Sequence, residues 1–160
     1  GSTFEENSFL KANAVRKATG LPALADDSGI AVDALGGAPG VHSARYGDDP
    51  ALDDWGRLLL LLKNTEQVPD GQRQAQFVSV ITLVYPDGRV IQARGEAHGE
   101  LLREAHGEGG FGYDPIFYYP PAGKTFAELT AGEKNQVSHR AKALKLFYEK
   151  LCEEGKHADQ

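Results

Sequence analysis

Cysteine is almost missing from this chain: the single Cys152 excludes an intrachain disulfide framework and fits a reducing compartment. Its place near the tail, between charged residues, gives it no catalytic setting. Long apolar runs are also missing. The longest purely aliphatic stretch, Leu58 to Leu62, is closed by Arg57 and Lys63, whereas a membrane-spanning helix needs roughly 18 apolar residues. The opening Gly1-Ser2-Thr3-Phe4-Glu5-Glu6 carries neither the basic region nor the apolar core of a secretion signal, so a cytoplasmic location is expected. Basic excess is lacking too. With 17 Lys and Arg against 23 Asp and Glu the net charge is −6, which argues against a polymer-backbone binder such as a nucleic-acid-binding protein. A small anionic ligand stays open, because one basic cluster with a divalent cation can hold it.

What is present is a composition for one compact domain spanning 1–160: 160 residues, 41% hydrophobic and 25% charged, with no repeat, linker or low-complexity tract. Leu10, Ala14 and Ala18 recur at helical spacing between Phe4 and Thr19, and Gly20 follows as a stop. Residues 22–34 read as a strand, an acidic turn at Asp26-Asp27-Ser28-Gly29, and a second strand. A helix is expected from near Pro50 with Leu52, Trp55, Leu59 and Leu62 as its buried stripe. Phe77 to Tyr85 reads as a central strand covered on both faces, and Pro86-Asp87-Gly88 turns it into a hairpin with Val90 to Glu96. Thr125 with Glu128, and Thr130 with Glu133, have capping-box spacing, and Ala141, Leu144, Tyr148 and Leu151 mark a C-terminal helix. Helices with hairpins as well as crossovers indicate an α/β or α+β sheet.

Three places carry candidate chemistry. Adjacent carboxylates at a strand end, Asp26 and Asp27, suit Mg²⁺, which takes one or two carboxylates plus waters and phosphate oxygens; the same tetrapeptide also serves as an acidic turn capping backbone N–H groups. The loop Gly107 to Asp114 lets backbone amides approach a ligand while Phe111 and Tyr113 offer aromatic faces; it is equally a hairpin whose aromatics enter the core. On the last helix Lys134, Ser138, His139 and Arg140 place several donors near a helix start, a natural anion site, or else form a solvated polar face. Gly123-Lys124-Thr125 is not a P-loop, since Tyr118 stands where that motif needs glycine. His42, His98, His106 and His157 lack metal-ligand spacing, so no zinc site is expected.

Taken together, five ordered blocks resemble the inosine/xanthosine triphosphate pyrophosphatase family, which hydrolyses non-canonical purine nucleoside triphosphates. They are Thr3-Phe4-Glu5-Glu6-Asn7 with Lys11-Ala12; Ala25-Asp26-Asp27-Ser28-Gly29; Gly36-Gly37-Ala38-Pro39-Gly40 with Ser43-Ala44-Arg45-Tyr46; Gly109-Gly110-Phe111-Gly112-Tyr113-Asp114-Pro115; and Glu133-Lys134 with Ser138-His139-Arg140. The resemblance implies an elongated α/β fold, a long mixed β-sheet with flanking helices forming two lobes around a nucleotide cleft, and a homodimer. It implies Asp27 as metal-associated general base with Asp26 beside it as a metal ligand, Ser28 on the substrate, and Lys11 on the phosphates. Phe111, Gly112, Tyr113 and Asp114 would hold base and sugar, Lys134 would bind substrate, and His139 and Arg140 would read a 6-oxo purine edge. The implied reaction is Mg²⁺-dependent hydrolysis of ITP, dITP or XTP to monophosphate and pyrophosphate, cleansing the nucleotide pool.

Members of that family begin with a strand, a Thr-Gly-Asn-x-x-Lys phosphate loop, a helix and an acidic metal ligand, all ahead of the position of Gly1. The chain enters the pattern after them. The expectation is therefore reduced activity for this polypeptide, extending to a non-catalytic nucleotide-binding or dimerisation module, with a sheet edge left exposed.

Overall fold

The computed structural model describes residues 1–158, with side chains through Gly155; the His157 side chain lies outside the described residues. Helix α1 spans Phe4–Thr19, capped at its start by Thr3, whose hydroxyl accepts from the Glu6 amide at 3.0 Å, and closed by left-handed Gly20. Its buried side chains are Phe4, Ser8 and Ala12, while Leu10 is exposed. The apolar spacing thus marks the helix but not its inner face. The inner face is chosen by polar partners in the sheet: the Ser8 hydroxyl bonds that of Thr82, and Gln92 donates to the Glu5 carbonyl.

Strand β1 (Ala23–Val32) runs unbroken through Asp26-Asp27-Ser28-Gly29, where a turn was expected. Its ten residues pair in one antiparallel register with β2 (Gln74–Val84), from Ala23 opposite Val84 to Val32 opposite Ala75. Continuous pairing with an apolar partner overrides the turn preference of Asp-Ser-Gly. Strand β2 forms a hairpin with β3 (Val90–Leu101), and short strands β4 (Phe117–Tyr119) and β5 (Lys124–Thr125) complete the order β1-β2-β3-β4-β5. The expected α/β fold with flanking helices is present. Every strand pairing among the described residues is antiparallel, where the resemblance implied a mixed sheet.

Strand β2 is buried continuously from Phe77 to Thr82, as a central strand covered on both faces must be. Helix α1 lies on one face, where its Phe4 packs with Val78 and Val80. The other face carries the larger core, in which Ile30, Val32, Ala75, Phe77 and Ala97 meet Leu58 and Leu61 of helix α2 (Asp54–Asn64) and Phe117, Phe126 and Leu129 of the segment beyond β3. Within α2, Trp55 and Leu59 are exposed and Leu58 and Leu61 are buried, one position out of phase with the expected stripe.

Both capping boxes form, at Thr125/Glu128 and Thr130/Glu133. The polar C-terminal segment is two helices, not one: α3 (Ala131–Val137) and α4 (His139–Ala158), broken by extended Ser138, whose hydroxyl accepts from the Ala141 amide at 3.1 Å. Helix α4 lies on the sheet face opposite α1. Gly95 permits this closeness, because a Cβ there would collide with the His139 carbonyl and the Ala143 amide. His139 and Ala143 are the buried positions of α4 among the described residues, whereas Leu144 and Tyr148 of the expected stripe are exposed.

Candidate functional site

Side chains alternate across a strand, so neighbours on β1 serve opposite faces of the sheet. Asp27 points to the α1 face, where Lys11 donates to its Oδ1 at 3.1 Å and to the Asp26 carbonyl at 3.3 Å. Asp26 points to the α4 face, its carboxylate 3.5 Å from the Arg140 guanidinium. The two carboxylates therefore do not flank one ion, and Asp26 does not join Asp27 as a ligand as the sequence suggested. Ser28 shares the α4 face with Asp26.

On the α4 face, α3 and the start of α4 oppose the glycine loop across a cleft of about 420 Å³ lined by Phe111, Lys134, Ser138, His139 and Arg140. A second hollow of about 190 Å³ continues from it past Ser28, Ser43, Phe77 and Asp114. Asp114 is 2% exposed and accepts from the Phe111 amide at 3.1 Å and from the Lys134 ammonium. Left-handed Gly110 makes this tight loop feasible, since a Cβ there would strike the Asp114 carboxylate. Lys134 Nζ also sits 4.4 Å from the centroid of the Phe111 ring, which is itself exposed. The loop thus presents an open aromatic face beside a cation anchored by a buried carboxylate.

Tyr113 behaves differently from its neighbours. It is buried in the main core, its hydroxyl donates to the Ser43 carbonyl at 2.7 Å, and burial pushes its pKa upward. Its side chain fixes the loop to the turn Gly40–Arg45, and Tyr113 also borders the second hollow. Ser43 in turn accepts from the Ile30 amide at 2.9 Å, fastening that turn to β1.

His139 stacks on Phe77 with ring centroids 4.8 Å apart. Desolvation, helped by Lys134, Arg140 and Lys142, lowers its pKa to about 4, so the ring is neutral near pH 7. Arg140, the next residue, is exposed at the cleft mouth.

On the α1 face a third hollow of about 390 Å³ is lined by Asn7, Lys11, Asp27, His42, Arg45 and Asp48. The turn Gly40–Arg45 joins it to the α4 side: Ser43 and Ala44 line the inner hollow, Ala44, Arg45 and Arg57 a small one between, and Arg45 the outer one. A polar track therefore rounds the β1 edge from the aromatic cleft to Asp27. Sequence reasoning passed over Arg57, quoted Arg45 only within a motif and weighed His42 only as a metal ligand, because their separation from Asp27 along the chain hides that the turn folds back on β1.

The donor set bears on a metal ion. Asp27 Oδ2 is enclosed and has no partner, and no group of three or more His, Cys, Asp or Glu gathers among the described residues. One free carboxylate oxygen fits Mg²⁺ shared with water and phosphate oxygens, and does not fit an ion caged by protein alone.

A family model described as "Ham1 family" matches residues 1–150. Among curated proteins the chain is 54% identical over 149 residues to the dITP/XTP pyrophosphatase of Thermus thermophilus, covering 93% of this chain and 71% of that protein. It is 52% identical over 153 residues to the dITP/XTP pyrophosphatase of Shigella flexneri, covering 94% and 77%. Among solved structures the Staphylococcus aureus Ham1 protein superposes with a TM-score of 0.90 at 44% identity, covering 96% of this chain and 79% of that one. A nucleoside-triphosphatase / dITP/XTP pyrophosphatase from Mycobacterium abscessus superposes at 0.82 with 46% identity, covering 91% and 76%.

Proposed function

From the premise that this chain belongs to the Ham1 family, we propose that it hydrolyses purine nucleoside triphosphates bearing a 6-oxo group, ITP, dITP and XTP, to the monophosphate and pyrophosphate. The enzyme class, a nucleoside-triphosphate pyrophosphohydrolase of the nucleotide pool, follows from relatives more than half identical to it. The observation that carries the substrate reading is the track itself. It links a cleft with an aromatic face and neutral or cationic donors, on one side of β1, to a carboxylate–lysine pair on the other.

In this reading the base stacks on Phe111, with Lys134 held in place by Asp114, and Ser28 and the Gly112 backbone border the sugar. His139 and Arg140 present donors to O6; adenine would set its own amino donor against them and leave them unpaired. Arg45 and Lys11 receive the phosphates as the chain rounds the strand edge. Asp27 accepts the proton of the attacking water, its Oδ1 released as Lys11 moves to a phosphate. Asp27 would hold Mg²⁺, which would supply charge neutralisation and a more acidic bound water. Lys11 is more than half exposed and is free to move from Asp27 to a phosphate. We further propose a cytoplasmic homodimer.

The test is pyrophosphate release from ITP and ATP by the chain and by Lys11→Ala. Release from ITP, with a raised KM in the variant, supports the reading; equal use of ATP and ITP contradicts it.

A further inference from the structure

Among the described residues, three enclosed side-chain polar atoms have no hydrogen-bond partner: Asp27 Oδ2, Ser79 Oγ and His139 Nδ1. Asp27 lies on the α1 face; the other two share the opposite face. Ser79 sits in the middle of β2, fully buried, directly between Ser28 of β1 and Gly95 of β3. Gly95 is the residue on which the His139 backbone rests, and Phe77, two places from Ser79 on the same face, is the residue on which the His139 ring stacks. The ring therefore spans the ground immediately above Ser79.

A buried polar atom left unpaired is costly, and two of them in one small apolar region relieve each other by pairing. The ring has a defined inside and outside. Nδ1 is enclosed, whereas among the described residues Nε2 has no hydrogen-bond partner and is not one of the enclosed unpaired atoms, so Nε2 is the nitrogen open to the cleft. A neutral imidazole carries one proton, and whatever Nδ1 does fixes what Nε2 offers.

We propose that Ser79 is a positioning residue for base recognition: its hydroxyl, linked to His139 Nδ1 through one enclosed water, holds the proton on Nε2, facing the ligand. The assignment rests on the 6-oxo reading above, because only an outward Nε2–H donates to O6. Ser79 suits the part because its hydroxyl has no competing partner, and because a serine is small enough to lie beneath a helix packed against glycine. With the ring neutral near pH 7, the tautomer and not the charge decides which edge is accepted. In this account Ser79 shapes specificity without touching the substrate.

Long-range ¹H–¹⁵N correlation spectra of the labelled chain report which imidazole nitrogen carries the proton, with no need for turnover. We expect His139 in the native chain to show a protonated Nε2 and an unprotonated Nδ1. Ser79→Ala should shift the ring toward the Nδ1–H form and lower the ITP-over-ATP preference in kcat/KM about fivefold to tenfold, the worth of one neutral hydrogen bond. Ser79→Cys keeps the size of the side chain with a weaker donor, and should move both readouts in the same direction by less; it serves if the alanine variant does not fold. An Nδ1–H tautomer in the native chain, or identical His139 spectra in native and variant chains, would overturn the proposal. A native chain with no preference for ITP would instead sink the substrate reading, and the spectra would still decide the Ser79–His139 pair.

Discussion

Folding takes the His139 ring out of water, sets it on Phe77 and surrounds it with Lys134, Arg140 and Lys142, all of which disfavour its protonated form. The unfolded chain would take up a proton near pH 6.5 that the native state refuses until about pH 4. Stability from this group is thus complete above pH 6.5 and declines as pH falls toward 4, by roughly 3 kcal/mol in all. Urea unfolding of the native chain and of His139→Gln at pH 7 and pH 4.5 checks this: the native chain should lose more stability on acidification than the variant. Asp114 is a buried carboxylate whose partner is a cation. Asp114→Asn should leave Lys134 without its counter-charge, cost roughly 3 kcal/mol in urea unfolding and raise KM for nucleotide. Tyr113→Phe tests the division of labour within the loop. It should cost about 1 kcal/mol through the lost bond to the Ser43 carbonyl and change KM little, because the hydroxyl serves the core and not the ligand.

At the scale of elements, the position of α4 depends on the absence of a side chain at Gly95. Gly95→Ala should push the start of α4 from the sheet, lower stability by at least about 2 kcal/mol in urea unfolding, and weaken nucleotide binding through displacement of His139 and Arg140. The stop at Gly20 and the two capping boxes were legible in the sequence, because they act on backbone groups within a turn of themselves, whereas α2 begins at Asp54 and not near Pro50. Buried faces were less so. Leu10, Trp55, Leu59, Leu144 and Tyr148 all have helical spacing and all are exposed, because which stripe turns inward is set by the sheet beneath it. For α1 the sheet offers Thr82 and Gln92, which favour Ser8 over Leu10. The strand through Asp26 to Gly29 was hidden for a similar reason: its local preference is a turn, and its partner lies some fifty residues further on.

At the scale of the molecule, β1 is an edge strand whose two faces carry different halves of the candidate site. The residues Asp27, Lys11, Phe111, Asp114, Lys134, His139 and Arg140 could be picked out because they stand in compact motifs. That Asp26 and Asp27 part company, and that Arg45 and Arg57 join the track between the halves, follows only from the strand's alternation and from the turn that folds back on it. On the proposed reading, substitutions on the α4 face should alter which base is accepted, and substitutions on the α1 face should alter phosphate binding and cleavage. The most direct measurement is pyrophosphate release from ITP, XTP, GTP and ATP, with and without Mg²⁺, by the native chain and by a folded Asp27→Asn variant. The account predicts Mg²⁺-dependent release favouring ITP and XTP over ATP, reduced at least about a hundredfold in the variant. Release that is indifferent to Asp27, or no release from a folded native chain, would contradict it.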